Sequence, residues 1–229
     1  MKKTFFIAFF ILSVAITIGY YINKKALEKN VYKNNNLAVI NPNDLPEEMV
    51  DPSLLNVGFG HEIQDFSLTN QYGEKITLSH VKGNVFIAEY FFTTCPTICP
   101  IMNKQMQRVQ NSFINEKNVS ILSFTVHPEV DTVEQLLRYA KKHGAKKGQW
   151  HFLTGKKEKL YESARKSFFL LKPAEVKNQG DVGSDFIHTN NFVLIDKNLQ
   201  IRGYYDGTNK KEVSKLITDV KTLLKEPKN

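Results

Sequence analysis

Short apolar runs that fit strands alternate with longer stretches whose apolar residues fall three and four apart, as on a helix. "FSLTNQYGEKITL", residues 66–78, is two short alternating runs around Gln71-Tyr72-Gly73, which predicts a hairpin. "VFIAEYFF" (85–92) and "VSILSFTV" (119–126) are almost continuously apolar, as expected of strands buried on both faces. Between them, "IMNKQMQRVQNSFI" (101–114) sets Met102, Met106, Val109 and Phe113 on one helical face. That face is core rather than a methionine metal box, because the methionine stripe stops at two residues. Asp131 with Glu134 makes a capping-box signature for a helix carrying Leu136, Leu137 and Ala140 and ending at Gly144. "WHFLTG" (150–155) is a short strand, followed by a helix with Leu160, Ala164 and Phe168. "NFVLID" (191–196) and "LQIRGYYD" (199–206) form a strand pair turned at Lys197-Asn198, and Val213, Leu216, Ile217, Val220 and Leu224 mark a terminal helix.

The order is therefore hairpin, β, α, β, α, β, α, β, β, α. Strand–helix alternation predicts a parallel central portion, and the final strand pair predicts an antiparallel edge. The expected fold class is α/β: a thioredoxin-like sheet with flanking helices, preceded by an N-terminal hairpin and one transmembrane helix.

The transmembrane expectation rests on Thr4–Ile22, nineteen residues without a charge behind Lys2 and Lys3. As a helix the run reaches roughly 28 Å, close to the thickness of a bilayer's hydrocarbon core. A cleaved signal peptide is the alternative, but the run is long for one and its small-residue pair Ser13/Ala15 lies inside the apolar stretch. Lys24, Lys25 and Lys29 follow the span and offset Lys2 and Lys3, so charge alone does not orient it. Residues 23–57 contain "YKNNNLAVINPNDLPEEMVDPSLLN", rich in Asn and Pro and without sustained periodicity, which predicts a flexible tether. The expected organisation is an anchor over 1–22, the tether over 23–57, and a folded domain over 58–229 that lies wholly on one side of the membrane.

Composition narrows the function classes. A hydrophobic share of 41% is ample for a packed core. The net charge of +8 comes from lysines scattered through helices and tails, with no basic stripe interleaved with aromatics, so no nucleic-acid partner is expected.

The candidate chemistry lies in "FFTTCPTICP" (91–100), which holds the chain's only cysteines, Cys95 and Cys99. They fall where the first central strand gives way to the first central helix, and chemistry in open α/β sheets gathers at the carboxyl ends of strands. Pro100 disfavours the helical region for Cys99 and suits the first helical position, so Cys99 is expected as N-cap and as the thiol of lower pKa. Three intervening residues are one more than thioredoxin-type reductants carry. The wider loop can close a disulfide or splay two sulfurs around one soft ion. Two thiolates suit Cu(I), and an added imidazole makes a site for Cu(I) or Cu(II). Zinc ordinarily takes four protein ligands in such sites, and no third cysteine exists. A structural staple is poorly placed, because so short a loop gains little from closure.

Six histidines could complete a site: His61, His80, His127, His143, His151 and His188. His61 and His80 lie near the hairpin and are expected to face solvent. His143 ends a helix, and His151 sits beside Trp150 in a strand. Two remain. His127 ends the second buried strand at the sheet edge of the cysteines, and His188 precedes the strand "NFVLI". The residues alone leave both open.

"TTCPTICPIM", "TVHPEVDTVEQLLRYA" and "DFIHTNNFVLID" resemble, in order and distance, the Sco family of membrane-anchored copper proteins, from about His61 to the C-terminus. The resemblance implies a thioredoxin-like fold and one copper, Cu(I) or Cu(II), held by Cys95, Cys99 and His188. It also implies a role in building the binuclear copper centre of cytochrome c oxidase, as copper donor or as reductant of that centre's cysteines. The implied partners are the oxidase subunit carrying that centre, a copper donor protein, and the membrane through the N-terminal helix. Because an Arg-rich transit peptide is absent, the expected location is a bacterial cytoplasmic membrane with the domain on the periplasmic side. The alternative function is a membrane-anchored thiol–disulfide oxidoreductase using Cys95 and Cys99, with metal incidental. A peroxidase fits poorly, since Arg108 lies too far along the helix from Pro100. The chain departs from the family at His127-Pro128, where Asp-Pro is common, at Thr132-Val133, where Thr-Pro is common, and at His188-Thr189, where His-Ser is commoner.

Overall fold

A computed structural model of the chain describes residues 37–170 and 189–227. The candidate span at 4–22 and His188 lie outside the described residues. Among the described residues, no helix is long and apolar enough to cross a membrane.

Among the described residues seven strands form one sheet: β1 (Ser67–Asn70), β2 (Lys75–Thr77), β3 (Val85–Phe91), β4 (Val119–Thr125), β5 (Trp150–Thr154), β6 (Asn191–Ile195) and β7 (Ile201–Asp206), in the order β2-β1-β5-β4-β3-β6-β7. β3, β4 and β5 run parallel, and the hairpin β1–β2 and the pair β6–β7 flank them antiparallel. The α-helices among the described residues are α1 (Ile98–Ser112), α2 (Val133–Lys142), α3 (Lys157–Glu162) and α4 (Lys210–Lys225). A π-helical turn, Ser163–Ser167, continues α3. This is the α/β order expected from the sequence, with the strand boundaries shifted by at most two residues.

Every residue of β3 and β4 is buried, which is why both read as largely apolar without alternation. On one face Phe86, Ala88, Tyr90, Leu122, Phe124 and Leu153 join a core closed by Leu160 and Ala164 of the α3 region and by the hairpin. On the other, Tyr139 of α2 packs on Phe91 and Phe152 with ring centroids 5.5 Å apart in each case. Met102, Met106, Val109 and Phe113 of α1 are all buried, as their spacing predicts. The hairpin turns where expected. Gly73 takes a φ of 75°, a conformation that glycine adopts without strain.

Two expectations need correction here. The compact unit begins at Val39, not at residue 58. Residues 39–57 hold three short 3-10 turns, Pro42–Asp44, Glu47–Met49 and Pro52–Leu54, and Val50 is buried in the main core. The Ile40 N–H donates to the Ile201 carbonyl on the outer edge of β7 at 2.8 Å. Isolated apolar residues dock this segment, so it lacks the periodicity by which strands and helices are recognised. His61 is also buried, against Phe169 at 4.5 Å, with Nε2 3.0 Å from the Ser167 carbonyl. His80 is exposed, as expected.

Candidate metal centre

β3 and β4 pair in register from Val85 opposite Val119 to Phe91 opposite Thr125, so both strands end at one level. The chain leaves β3 through Phe92–Thr97 and enters α1 at Ile98, bringing Cys95 and Cys99 together above the sheet edge. Cys95 is 7% exposed and Cys99 2%, and the two are not joined.

The helix start differs from expectation. Thr97 is the N-cap, which makes Cys99 the second helical residue and Pro100 the third. The first four N–H groups of a helix lack intrahelical acceptors, so proline is tolerated throughout that turn and does not fix the first position. The N–H that Cys99 contributes is taken up by a sulfur: it donates to Cys95 Sγ at 3.4 Å. Cys95, not Cys99, therefore receives the positive end of α1.

The two thiols diverge accordingly, in the reverse of the predicted sense. Burial alone would raise the pKa of Cys95. Hydrogen bonds from the backbone and thiol of Cys99, and from the backbone and hydroxyl of Thr97, outweigh burial and bring it below the usual thiol value. Burial pushes Cys99 far up. A hydrogen bond from the Phe92 backbone opposes the rise, while Cys95 and the buried Glu89 add to it. Asn103 ties this first turn to α2, donating to the Cys99 carbonyl at 2.7 Å and to the Tyr139 hydroxyl at 2.6 Å.

Three residues that shape the site were not singled out for it by sequence. Glu89 sits inside β3, six positions before Cys95, and accepts from the Ser123 hydroxyl at 2.6 Å. Ser123 in turn accepts from Trp150 Nε1 at 2.8 Å. The signal was present, because Glu89 is the one charge in "VFIAEYFF". The sequence pattern makes Asp131 part of a capping box, but Thr132 is the N-cap of α2 and accepts from the Gln135 N–H at 3.3 Å. The Asp131 carboxylate turns the other way, to Thr93, the third of these residues.

His127 follows β4, with its N–H donated to Thr125 Oγ1 at 2.9 Å. Among the described residues no three His, Cys, Asp or Glu side chains form a group able to hold a metal, so His127 does not complete one with the cysteines. β6 begins at Asn191, three residues after position 188. Its antiparallel register with β3, Ala88 opposite Val193, sets that beginning at the sheet end where Cys95 lies.

The profile of the SCO1/SenC family matches residues 58–225. The chain belongs to this family. It is 34% identical over 164 residues to the SCO1 protein homolog of Bacillus subtilis (strain 168), covering 71% of this chain and 82% of that one. Among solved structures it is similar to BsSco, described as a member of the Sco family of cytochrome c oxidase assembly proteins with a disulfide switch. That likeness has a TM-score of 0.60 at 30% identity and covers 74% of this chain and 96% of the other. Yeast Sco1 with copper bound shares the fold, with a TM-score of 0.54 at 23% identity over 71% of this chain and 90% of the other. These likenesses support the α/β, thioredoxin-like class for the described domain.

Proposed function

We propose that this SCO1/SenC member binds copper through Cys95, Cys99 and His188 and serves in assembling the binuclear copper centre of cytochrome c oxidase. The observation that carries the reading is the thiol pair itself. The Cys99 N–H donates to Cys95 Sγ at 3.4 Å, both thiols are unjoined, and they lie on the loop and first helical turn that follow the carboxyl end of β3. Two sulfurs are a soft donor set, suited to Cu(I), and an imidazole extends it to Cu(II). A copper-bound relative and a relative described as an oxidase assembly protein support that assignment. The family resemblance implies His188 as the third ligand, and β6, which begins three residues after it in the chain, starts at the sheet end where Cys95 lies. We assign the run Thr4–Ile22 as the membrane anchor and the domain to the outer side of the cytoplasmic membrane.

A second reading is favoured by the inequality of the thiols. A lowered Cys95 and a raised Cys99 are the properties of an attacking and a resolving thiol, which suits a thiol–disulfide oxidoreductase.

His188→Ala separates the two. The full chain, reduced and in detergent, is titrated with copper beside this variant, following Cu(II) absorption and electron paramagnetic resonance. The copper reading expects sulfur-to-copper charge transfer at one equivalent, lost or altered in the variant. Identical signals in both proteins, or no coloured complex in either, would remove His188 from the site and favour thiol exchange.

A further inference from the structure

The segment that carries Cys95 is held from the side by one buried carboxylate. Asp131 has no exposed surface. It accepts from the Thr93 N–H at 3.2 Å and from the Thr93 hydroxyl at 2.5 Å. Its Oδ2 also accepts from the Thr125 hydroxyl. The network extends at both ends. Gln135 Nε2 donates to Thr93 Oγ1 at 3.1 Å, and the His127 N–H donates to Thr125 Oγ1 at 2.9 Å. One side chain thus joins the segment that leaves β3 to the last residue of β4, two residues before Cys95 on one side and two before His127 on the other.

Helix formation does not account for this placement. Thr132 caps α2, so the Asp131 carboxylate is not needed at the helix end. Nearer Cys95 the Cys95 N–H donates to the Phe92 carbonyl at 3.2 Å, and the Cys95 sulfur contacts Thr97 in the loop and the Cys99 N–H at the start of α1. None of these ties the loop to β4. The Asp131–Thr93 link does.

We propose that Asp131 is a positioning residue for the thiol pair: by holding Thr93 it fixes where Cys95 stands over the first turn of α1. The proposal rests on the reading that Cys95 and Cys99 act together, and it holds for copper binding and for thiol exchange alike. An anion suits the role because every partner that it holds is a donor. In Asp131→Asn one oxygen becomes an NH2 group facing donors. The two hydroxyls can rotate to accept from it, but the Thr93 N–H cannot.

The test uses the full chain in detergent and needs no metal. Wild type, Asp131→Asn, Thr93→Val and the double variant are equilibrated with oxidised and reduced glutathione. The dithiol gives two electrons and two protons to oxidised glutathione, yielding the Cys95–Cys99 disulfide and two reduced glutathiones. Urea unfolding identifies the variants that remain folded. The expected result is a disulfide-forming equilibrium constant lowered by roughly three- to ten-fold in each folded single variant, the scale of one hydrogen bond. The double variant should fall no further than the stronger single one, because both remove the same link. If Asp131→Asn does not fold, Thr93→Val decides alone. A folded Thr93→Val protein with the wild-type constant overturns the proposal, as does a double variant whose effect is the sum of the two. Because copper is absent, a wild type that fails to bind copper would sink the copper reading without touching this result.

Discussion

The Cys99 N–H points at Cys95 Sγ from 3.4 Å, so the first turn of α1 stabilises negative charge on the sulfur four residues earlier in the chain. Cys95 is the thiol with the lowered pKa and Cys99 the one with the raised pKa. Alkylation of the reduced protein near neutral pH should therefore label Cys95 first, with Cys99 modified only after unfolding. Peptide mapping by mass spectrometry reads the order. Cys95→Ser should leave a protein whose remaining thiol is nearly inert. Equal labelling of both residues, or faster labelling of Cys99, would contradict this assignment.

Glu89 is buried in the middle of β3, and burial raises its pKa to about 7 against the weaker opposing effect of the Ser123 hydrogen bond. Its folded-state pKa lies above the unfolded value of 4.5. Below 4.5 the carboxyl is protonated in both states and costs nothing. Between 4.5 and 7 the unfolded chain loses the proton while the folded protein keeps it, so stability falls as pH rises, and above 7 the loss is complete. The full cost is on the order of 3 kcal/mol. Glu89→Gln removes it. The variant should match wild type in urea denaturation at pH 4 and exceed it progressively up to pH 8. A difference that does not vary with pH would show that Glu89 does not titrate in this range.

The fold was legible in the chain because its strongest features are periodic. β3 and β4 are largely apolar runs without alternation, and α1 repeats its apolar residues at helical spacing. The cysteine pair was legible from its place between a strand and a helix. What the sequence hid was direction. Nothing in "CPTIC" says which thiol the helix N-terminus faces, because that depends on whether α1 begins at Ile98 or at Pro100. Asp131 was hidden for a related reason. An Asp three residues before a Glu is a capping signature, and only the tertiary structure shows that Thr132 caps α2 while Asp131 serves another loop. His61 misled because a lone histidine near a hairpin carries no sign of the Phe169 ring that buries it.

Gln71 should matter more to stability than a turn glutamine ordinarily does. β1 leaves β5 after Asn70, opposite Leu153. The Gln71 side chain then continues the ladder in place of backbone, donating to the Trp150 carbonyl at 2.8 Å and accepting from the Phe152 N–H at 2.9 Å. Gln71→Ala leaves both of those backbone groups buried without these partners, at roughly 1–3 kcal/mol each. Thermal unfolding should show a clear drop, with the order of alkylation of Cys95 and Cys99 unchanged because β5 and β4 separate the hairpin from β3. A variant as stable as wild type would mean that water replaces the side chain.

The segment 39–57 gives the last prediction. Val50 is 3% exposed, and Ile40, Leu45 and Leu54 pack against the same core. The Asn41 side chain accepts from the Gly60 N–H at 2.9 Å, which pins the far end of the segment to the start of the domain. A chain cut to begin at residue 58 would expose the core surface under Val50 and free the outer edge of β7 that Ile40 now occupies. Burial of one valine alone is worth about 1.5–3 kcal/mol. A protein beginning at Leu37 should therefore be more stable than one beginning at Gly58 by at least about 2 kcal/mol in urea. Val50→Ala in the longer protein should recover part of that difference. Equal stability of the two lengths would mean that residues 39–57 rest on the domain without supporting it, and the tether would then extend to residue 57 as the sequence suggests.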